Sequence, residues 1–163
     1  MVPPGGIRGG RPRLRGESTL KPAARVAVKA KKRVLFVCIG NSCRSQMAEA
    51  FARAYGADVV EAGSAGVAPA GIVAPLTRQV LAEKNVSSEG QIPKGLAAFA
   101  KEQFEVIVNL SGGPLPVRPA ANRLIEWRVR DPIGQSQETY RAVAAQIEDL
   151  VMRLILELRG GKP

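Results

Sequence analysis

The apolar run Val34-Leu35-Phe36-Val37 ends at Cys38-Ile39-Gly40-Asn41-Ser42-Cys43-Arg44 and passes at once into Ser45-Gln46-Met47-Ala48-Glu49, which carries a helical pattern. This stretch constrains the chain more than any other. A strand, a short turn-forming loop and a helix N-terminus follow one another, a layout that turns backbone N–H groups towards an anion. Cys38 and Arg44 are spaced so that the curled loop aims a thiol and a guanidinium at one central point. A tetrahedral oxyanion there would meet a sulfur nucleophile, a ring of amides and a forked cation. A helix N-terminus and an adjacent cation also favour the thiolate form of a cysteine. The hydroxyl of Ser42 or Ser45 could donate a hydrogen bond to it, and Gly40 and Asn41 tolerate the left-handed angles of a tight loop. The pattern points to cysteine-based phosphoryl transfer; the alternative is an inert buried thiol at a strand end.

Composition narrows the chemistry. The 163 residues contain no histidine, which excludes a histidine base, a Ser-His-Asp triad and most zinc sites. Both cysteines lie in the loop, so there is no disulfide framework, and a working thiolate suits a reducing, cytoplasmic setting. The net charge of +10 is unevenly spread. Ten of the 24 basic residues and one of the 14 acidic residues precede Val34, which leaves the rest of the chain close to neutral. Met1–Lys32, rich in Gly, Pro, Arg and Lys, reads as a disordered basic extension, and 33–163 as one domain. The extension could bind nucleic acid or anionic lipid, although no aromatics are interleaved for base stacking; a dispensable extension is the simpler reading. No apolar stretch approaches a membrane span.

Along the chain, apolar periodicity predicts strands at Arg33–Val37, Asp58–Ala62, Phe104–Leu110 and Arg123–Val129. Helices are predicted at Ser45–Tyr55, Pro75–Asn85, Lys94–Lys101 and Glu138–Leu158, with Gly63-Ser64-Ala65-Gly66 as a loop. In the last helix Tyr140, Val143, Ala144, Ile147, Val151, Leu154 and Leu158 form an apolar stripe, which is core packing. The alternation implies an α/β fold: a four-stranded parallel sheet with helices on both faces and ligands bound at the strands' carboxyl ends. The Cys38 loop lies at such an end.

The stretch Val37-Cys38-Ile39-Gly40-Asn41-Ser42-Cys43-Arg44-Ser45, continued by Gln46-Met47-Ala48-Glu49, resembles the signature of the low-molecular-weight protein tyrosine phosphatase superfamily. That superfamily includes thiol-dependent arsenate reductases, and the Asn-Ser-Cys-Arg-Ser-Gln-Met-Ala-Glu wording is more similar to that branch. The resemblance implies the Rossmann-like phosphotyrosine phosphatase I fold from about Val34 to the last helix. It implies Cys38 as nucleophile, with Arg44, Ile39, Gly40, Asn41, Ser42, Cys43 and Ser45 holding the oxyanion. Ser64 would support the loop through its hydroxyl. No metal or cofactor is implied.

Expelling an alcohol from phosphorus needs a proton donor, and without histidine a carboxyl is the expected one. Asp131-Pro132 is the candidate, since proline holds the preceding residue extended and can aim its carboxyl. Taken alone, Asp-Pro is an ordinary turn; the family carries its general acid in an Asp-Pro loop before the last helix, where Asp131 stands. The resemblance then implies a phosphomonoester (protein tyrosine) phosphatase that acts through a cysteinyl-phosphate. The alternative is an arsenate reductase with an external thiol donor, and a third reading is an oxyanion-binding module.

Two departures bear on that choice. The aromatic walls normal in the tyrosine phosphatases are replaced by Ile133 and by Val67-Ala68-Pro69-Ala70-Gly71. The thioredoxin-linked reductases pass oxidation to cysteines beyond the third strand, but Asn109–Pro116 holds none. Only Cys43 or an outside thiol could resolve an oxidised Cys38. A Cys38–Cys43 disulfide is a candidate protective or redox-sensing state, and simple packing of Cys43 behind the loop is the alternative. The expected partners are therefore phosphate, arsenate or a phosphorylated substrate, together with a thiol reductant.

Overall fold

The computed structural model describes residues 30–160. Residues 1–29 of the expected basic extension lie outside them; Lys32, its last expected residue, opens the first strand.

The elements are β1 (Lys32–Cys38), α1 (Arg44–Tyr55), β2 (Val60–Gly66), α2 (Pro75–Glu83), β3 (Gln103–Asn109), β4 (Ala120–Glu126) and α3 (Gln137–Leu158). The strands form one sheet in the order β2-β1-β3-β4, with every pair parallel. β1 is central and buried on both faces, which is why its sequence is a continuous apolar run. Its side chains alternate between two cores. Val34, Phe36 and Cys38 join α1, α2 and α3, including the stripe from Tyr140 to Leu158. Leu35 and Val37 meet Phe104, Ile107 and Leu96 on the other face. A single 3₁₀ turn, Leu96–Phe99, covers that second face together with Leu115 and Val117. It stands where an α-helix was expected over Lys94–Lys101.

β2 is the main displacement from the sequence reading. It runs in register from Lys32↔Val60 to Cys38↔Gly66, so Gly63-Ser64-Ala65-Gly66 is strand, not loop. Four small residues carry little strand propensity, but pairing with a buried central strand overrides it. Gly63 and Gly66 also have distinct surroundings. A Cβ on Gly63 would meet Leu35 Cδ1 at an ordinary 3.6 Å. One on Gly66 would lie 2.7 Å from the Ile39 carbonyl oxygen, 2.8 Å from the Asn41 nitrogen and 2.9 Å from the Gly40 carbonyl carbon. Only glycine lets β2 press this closely against the loop that leaves β1.

β4 begins and ends three residues earlier than its periodicity predicts. It is a largely exposed edge strand, where burial does not impose a clean pattern. The polypeptide beyond it stays tied to β3 through Trp127 N–H donating to the Asn109 carbonyl (3.0 Å), and the Trp127 and Phe36 rings lie 5.9 Å apart. Ser136 caps α3 by accepting the Thr139 amide (3.3 Å). The cap residue of α1, Cys43, makes no such side-chain bond, so the first turn of α1 remains available to something else.

Candidate active site

The loop from Cys38 to Arg44 is held by its carbonyls. Those of Cys38, Ile39 and Gly40 accept from the amides of Val67, Ala68 and Ala70 at 2.8–3.0 Å. The Asn41 carbonyl accepts from Gln46 Nε2 (3.0 Å). The Ser42 carbonyl accepts from the Ala74 amide (3.2 Å) and Thr77 Oγ1 (2.9 Å), and that of Cys43 from the Met47 amide (2.9 Å). With every carbonyl engaged, the amides are left over. Among the described residues, none of the N–H groups from Ile39 to Gln46 donates to another protein group. A run of unpaired donors at a helix N-terminus is an anion cradle, and each charge-assisted bond it forms is worth about 1.5–3 kcal/mol.

Cys38 ends the central strand and is 2% exposed. Its Sγ lies 2.8 Å from Ser45 Oγ. The direction of that bond follows from the neighbours. The Lys94 amide can only donate, and it meets Asn41 Oδ1 at 2.8 Å, which fixes the Asn41 amide orientation. Asn41 Nδ2 therefore donates to Ser45 Oγ (2.8 Å), and the Ser45 hydrogen is left to point at the sulfur. A thiolate at Cys38 thus has a donor already aimed at it. Asn41 adopts the left-handed conformation (φ 49°) that the sequence allowed for it.

Arg44 is almost fully buried, and its guanidinium is anchored rather than free. Nη1 donates to the carbonyls of Leu110 (2.5 Å) and Val129 (3.0 Å), at the carboxyl ends of β3 and of the segment after β4. Nη2 lies 3.6 Å from Asp131 Oδ2. The carboxylate therefore pairs with the loop arginine, whereas its neighbour Arg130 reaches Gln135 instead. The Ile133 amide donates to Asp131 Oδ1 (3.1 Å), which closes the Asp-Pro turn. The structure thus brings Cys38, Ser45, Arg44 and Asp131 to one end of the sheet.

The other predicted residues fall as follows. Ser42 Oγ donates to the Ile72 carbonyl (2.9 Å) and accepts the Ala74 amide (2.9 Å), so it braces the loop from outside. Cys43 Sγ is buried 3.4 Å from Tyr140 OH. Burial pushes its thiol above the ordinary range, an effect its bonds to Thr77 and Tyr140 only partly offset, and Cys38 and Asp131 push the same way. Ser64 is fully buried opposite Phe36 in the ladder, and its hydroxyl has no hydrogen-bond partner, so no bond links it to the loop.

Sequence reasoning missed four supports. Gln46 donates from Nε2 to Asn41 O, Asn41 Oδ1 and Ile92 O, at 2.9–3.0 Å. Gln91 in turn holds the Gln46 carbonyl (3.1 Å) and Glu49 Oε2 (2.7 Å). Gly66 and Thr77 complete the set. Gln46 sits within the signature; nothing local marks Gln91 or Thr77, whose partners are more than 30 positions away.

The sequence matches, over residues 33–162, the family described as Low molecular weight phosphotyrosine protein phosphatase. The chain belongs to that family. Within it, the chain is 34% identical over 130 residues to a glutaredoxin arsenate reductase of Synechocystis, covering 78% of this chain and 98% of that protein. Among solved structures, an arsenate reductase in the phosphate-binding state superposes with a TM-score of 0.71 at 34% identity, again over 78% and 98% of the two chains. An arginine phosphatase from Geobacillus stearothermophilus gives 0.66 at 25% identity, over 79% and 94%. Family and fold are those the signature implied, and both named chemistries occur on this fold.

Proposed function

We propose that this protein is an arsenate reductase that draws its electrons from an external thiol. The observation that carries the reading is the 34% identity along 98% of the Synechocystis glutaredoxin arsenate reductase. Loop geometry alone serves either chemistry, because arsenate and a phosphoryl group present the same tetrahedral oxygens. The sequence around the site adds support: Ile133 and Val67–Gly71 occupy the positions that carry aromatic walls in the tyrosine phosphatases the signature resembles.

In this reading Cys38 thiolate attacks arsenic(V), and one arsenate hydroxyl group departs as water after taking a proton from the acid form of Asp131, which is left as the carboxylate beside Arg44. An S–As(V) bond results. The amides of Ile39–Gln46 and the Arg44 guanidinium hold the remaining oxygens. A donor thiolate then attacks Cys38 Sγ. The S–S bond forms, the S–As electron pair passes to arsenic, and arsenite leaves; two thiolates have been oxidised and As(V) has become As(III). The donor comes from outside because the chain's only other cysteine, Cys43, is buried against Tyr140, and that burial disfavours its thiolate.

One observation favours hydrolysis of phosphate esters as a second activity: the Asp131 carboxyl stands beside Arg44, where a leaving oxygen would need a proton. The test is turnover of arsenate and of an aryl phosphate side by side, with wild-type protein and Cys38→Ser, and with glutaredoxin, thioredoxin and dithiothreitol supplied separately. Cys38-dependent arsenite production supports the reading. Ester hydrolysis with no arsenite from any donor refutes it.

A further inference from the structure

Five large hydrophobic side chains are conspicuously exposed among the described residues, and four of them gather at one end of the molecule. Ile39 (46% exposed) follows the nucleophile directly. The carbonyl of Ile72 (66%) accepts the Ser42 hydroxyl, and that of Ile92 (63%) accepts Gln46 Nε2. Ile133 (52%) sits two residues past Asp131 in the turn that pairs with Arg44. Between them Ala68, Pro69, Ala70 and Gly71 are all exposed, and no charged residue occurs from Ala62 to Thr77. Ile72, Ile92, Pro93 and Arg78 line a groove of about 630 Å³ beside this surface.

An apolar surface concentrated beside the nucleophile marks an interaction site. The fifth exposed hydrophobic among the described residues, Leu156, lies in a separate groove with Ile125, Trp127, Leu150 and Leu154, none of which belongs to the Cys38 loop. Small oxyanions do not need it. The segment lies on the outer side of the cradle, bound to the loop by its backbone, and offers arsenate only methyl groups. A small charged thiol gains nothing from it either. Its rim is polar and carries more cations than anions: Arg78 on one side, and Arg128 and Arg130 with Glu126 and Asp131 on the other. An apolar centre inside a charged rim is the anatomy of a protein interface.

We propose that this collar docks the electron donor, and that the donor is a small dithiol protein whose nucleophilic cysteine stands on an apolar face with acidic surroundings. The proposal rests on the arsenate-reductase reading and names the partner of that site. The chemistry requires contact on this face. Cys38 Sγ is almost wholly enclosed, so a thiolate that attacks it must be carried into the mouth, between the isoleucines. Once the mixed disulfide with Cys38 has formed and arsenite has left, the donor's second thiolate attacks the donor's own first sulfur. The intermolecular S–S bond breaks, its electron pair returns to Cys38 as thiolate, and the donor departs as an intramolecular disulfide. A transient contact suits this task, since an oxidised donor must leave after each turnover. Cationic rim charges speed the encounter with an acidic partner and make it weaken with salt.

The test compares wild type with the double variant Ile72→Gln/Ile92→Gln, which removes apolar surface without adding charge and leaves both backbone carbonyls in place. Arsenite formation is measured with pre-reduced dithiol glutaredoxin and, separately, with dithiothreitol. The expected result is a KM for glutaredoxin raised about tenfold or more, with the KM for arsenate, turnover with dithiothreitol and the unfolding midpoint unchanged. The wild-type glutaredoxin KM should also rise with ionic strength. An unaltered glutaredoxin KM, or an equal loss with both donors, overturns the docking surface. Wild-type reduction with dithiothreitol but with neither glutaredoxin nor thioredoxin overturns it while leaving the reductase reading intact. Absence of arsenite with every donor overturns both.

Discussion

Gly66 and Gly63 lie three residues apart on the same strand, and substituting each with alanine separates two meanings of glycine. At position 63 the new methyl group meets Leu35 Cδ1 at 3.6 Å and Phe99 Cε1 at 3.9 Å, ordinary contact distances. Gly63→Ala should be neutral or stabilising by about 0.5–1 kcal/mol, because alanine loses less backbone entropy on entering a strand. At position 66 the methyl group meets three backbone atoms of Ile39, Gly40 and Asn41 at 2.7–2.9 Å. Backbone cannot rotate aside as a side chain can, so β2 and the loop must separate. Overpacking of this kind costs about 1–3 kcal/mol. The cost falls on the loop, because the bonds from Val67, Ala68 and Ala70 that hold its carbonyls follow directly after Gly66. Urea unfolding and phosphate titration, measured on both variants, read the two effects. Gly66→Ala should lose stability in that range and weaken phosphate binding about tenfold or more, as expected when at least ~1.4 kcal/mol falls on the bound loop. Equal behaviour of the two variants in both assays would refute the view that close approach of β2 shapes the cradle.

Asn41→Ala removes the donor to Ser45 and the acceptor for the Lys94 and Gln46 groups, and places alanine at φ 49°. The combined loss should be about 2–4 kcal/mol, with Asn41→Gly recovering the conformational part; urea melts that fail to separate these variants would count against the left-handed lock. In Cys38→Ser, the remaining Cys43 should resist iodoacetamide at neutral pH and label only above the ordinary thiol range; rapid labelling at pH 7 would contradict a buried, raised thiol. The sign for stability follows from the same shift. A thiol whose folded pKa is raised contributes stability below its unfolded value, and that contribution fades as pH climbs towards the folded one. Cys43→Ala should therefore flatten the loss of stability on the alkaline side, as read by urea midpoints across that range.

The fold was legible wherever burial forces a pattern. β1 and the α3 stripe, which build the core, stood out as an unbroken apolar run and a helical period. The cradle was legible because the loop is local: Cys38, Asn41, Arg44 and Ser45 are neighbours in sequence as well as in space. Legibility failed where non-local pairing decided the outcome. Gly63-Ser64-Ala65-Gly66 reads as a turn by propensity, yet it completes β2 because β1 offers a buried edge. Lys94–Lys101 has the composition of a helix but closes only one 3₁₀ turn, which suffices to cover Leu35 and Val37. The clamp of Gln91 on Gln46 has no local signature, and Arg44's anchorage to Leu110 and Val129 uses main-chain carbonyls that no sequence pattern reports. The docking collar is a similar case. Its isoleucines come from four separate segments, and only the folded chain assembles them.

The central claim is that the amides from Ile39 to Gln46 receive a tetrahedral oxyanion above Cys38. Amide chemical shifts of ¹⁵N-labelled Cys38→Ser protein, recorded while phosphate and then arsenate are added, test it most directly. Saturable shifts concentrated in Ile39–Gln46, with one binding curve shared by all of them and competition between the two anions, are the predicted result. Shifts that leave this segment unmoved while the anions bind elsewhere, or do not bind, would contradict it.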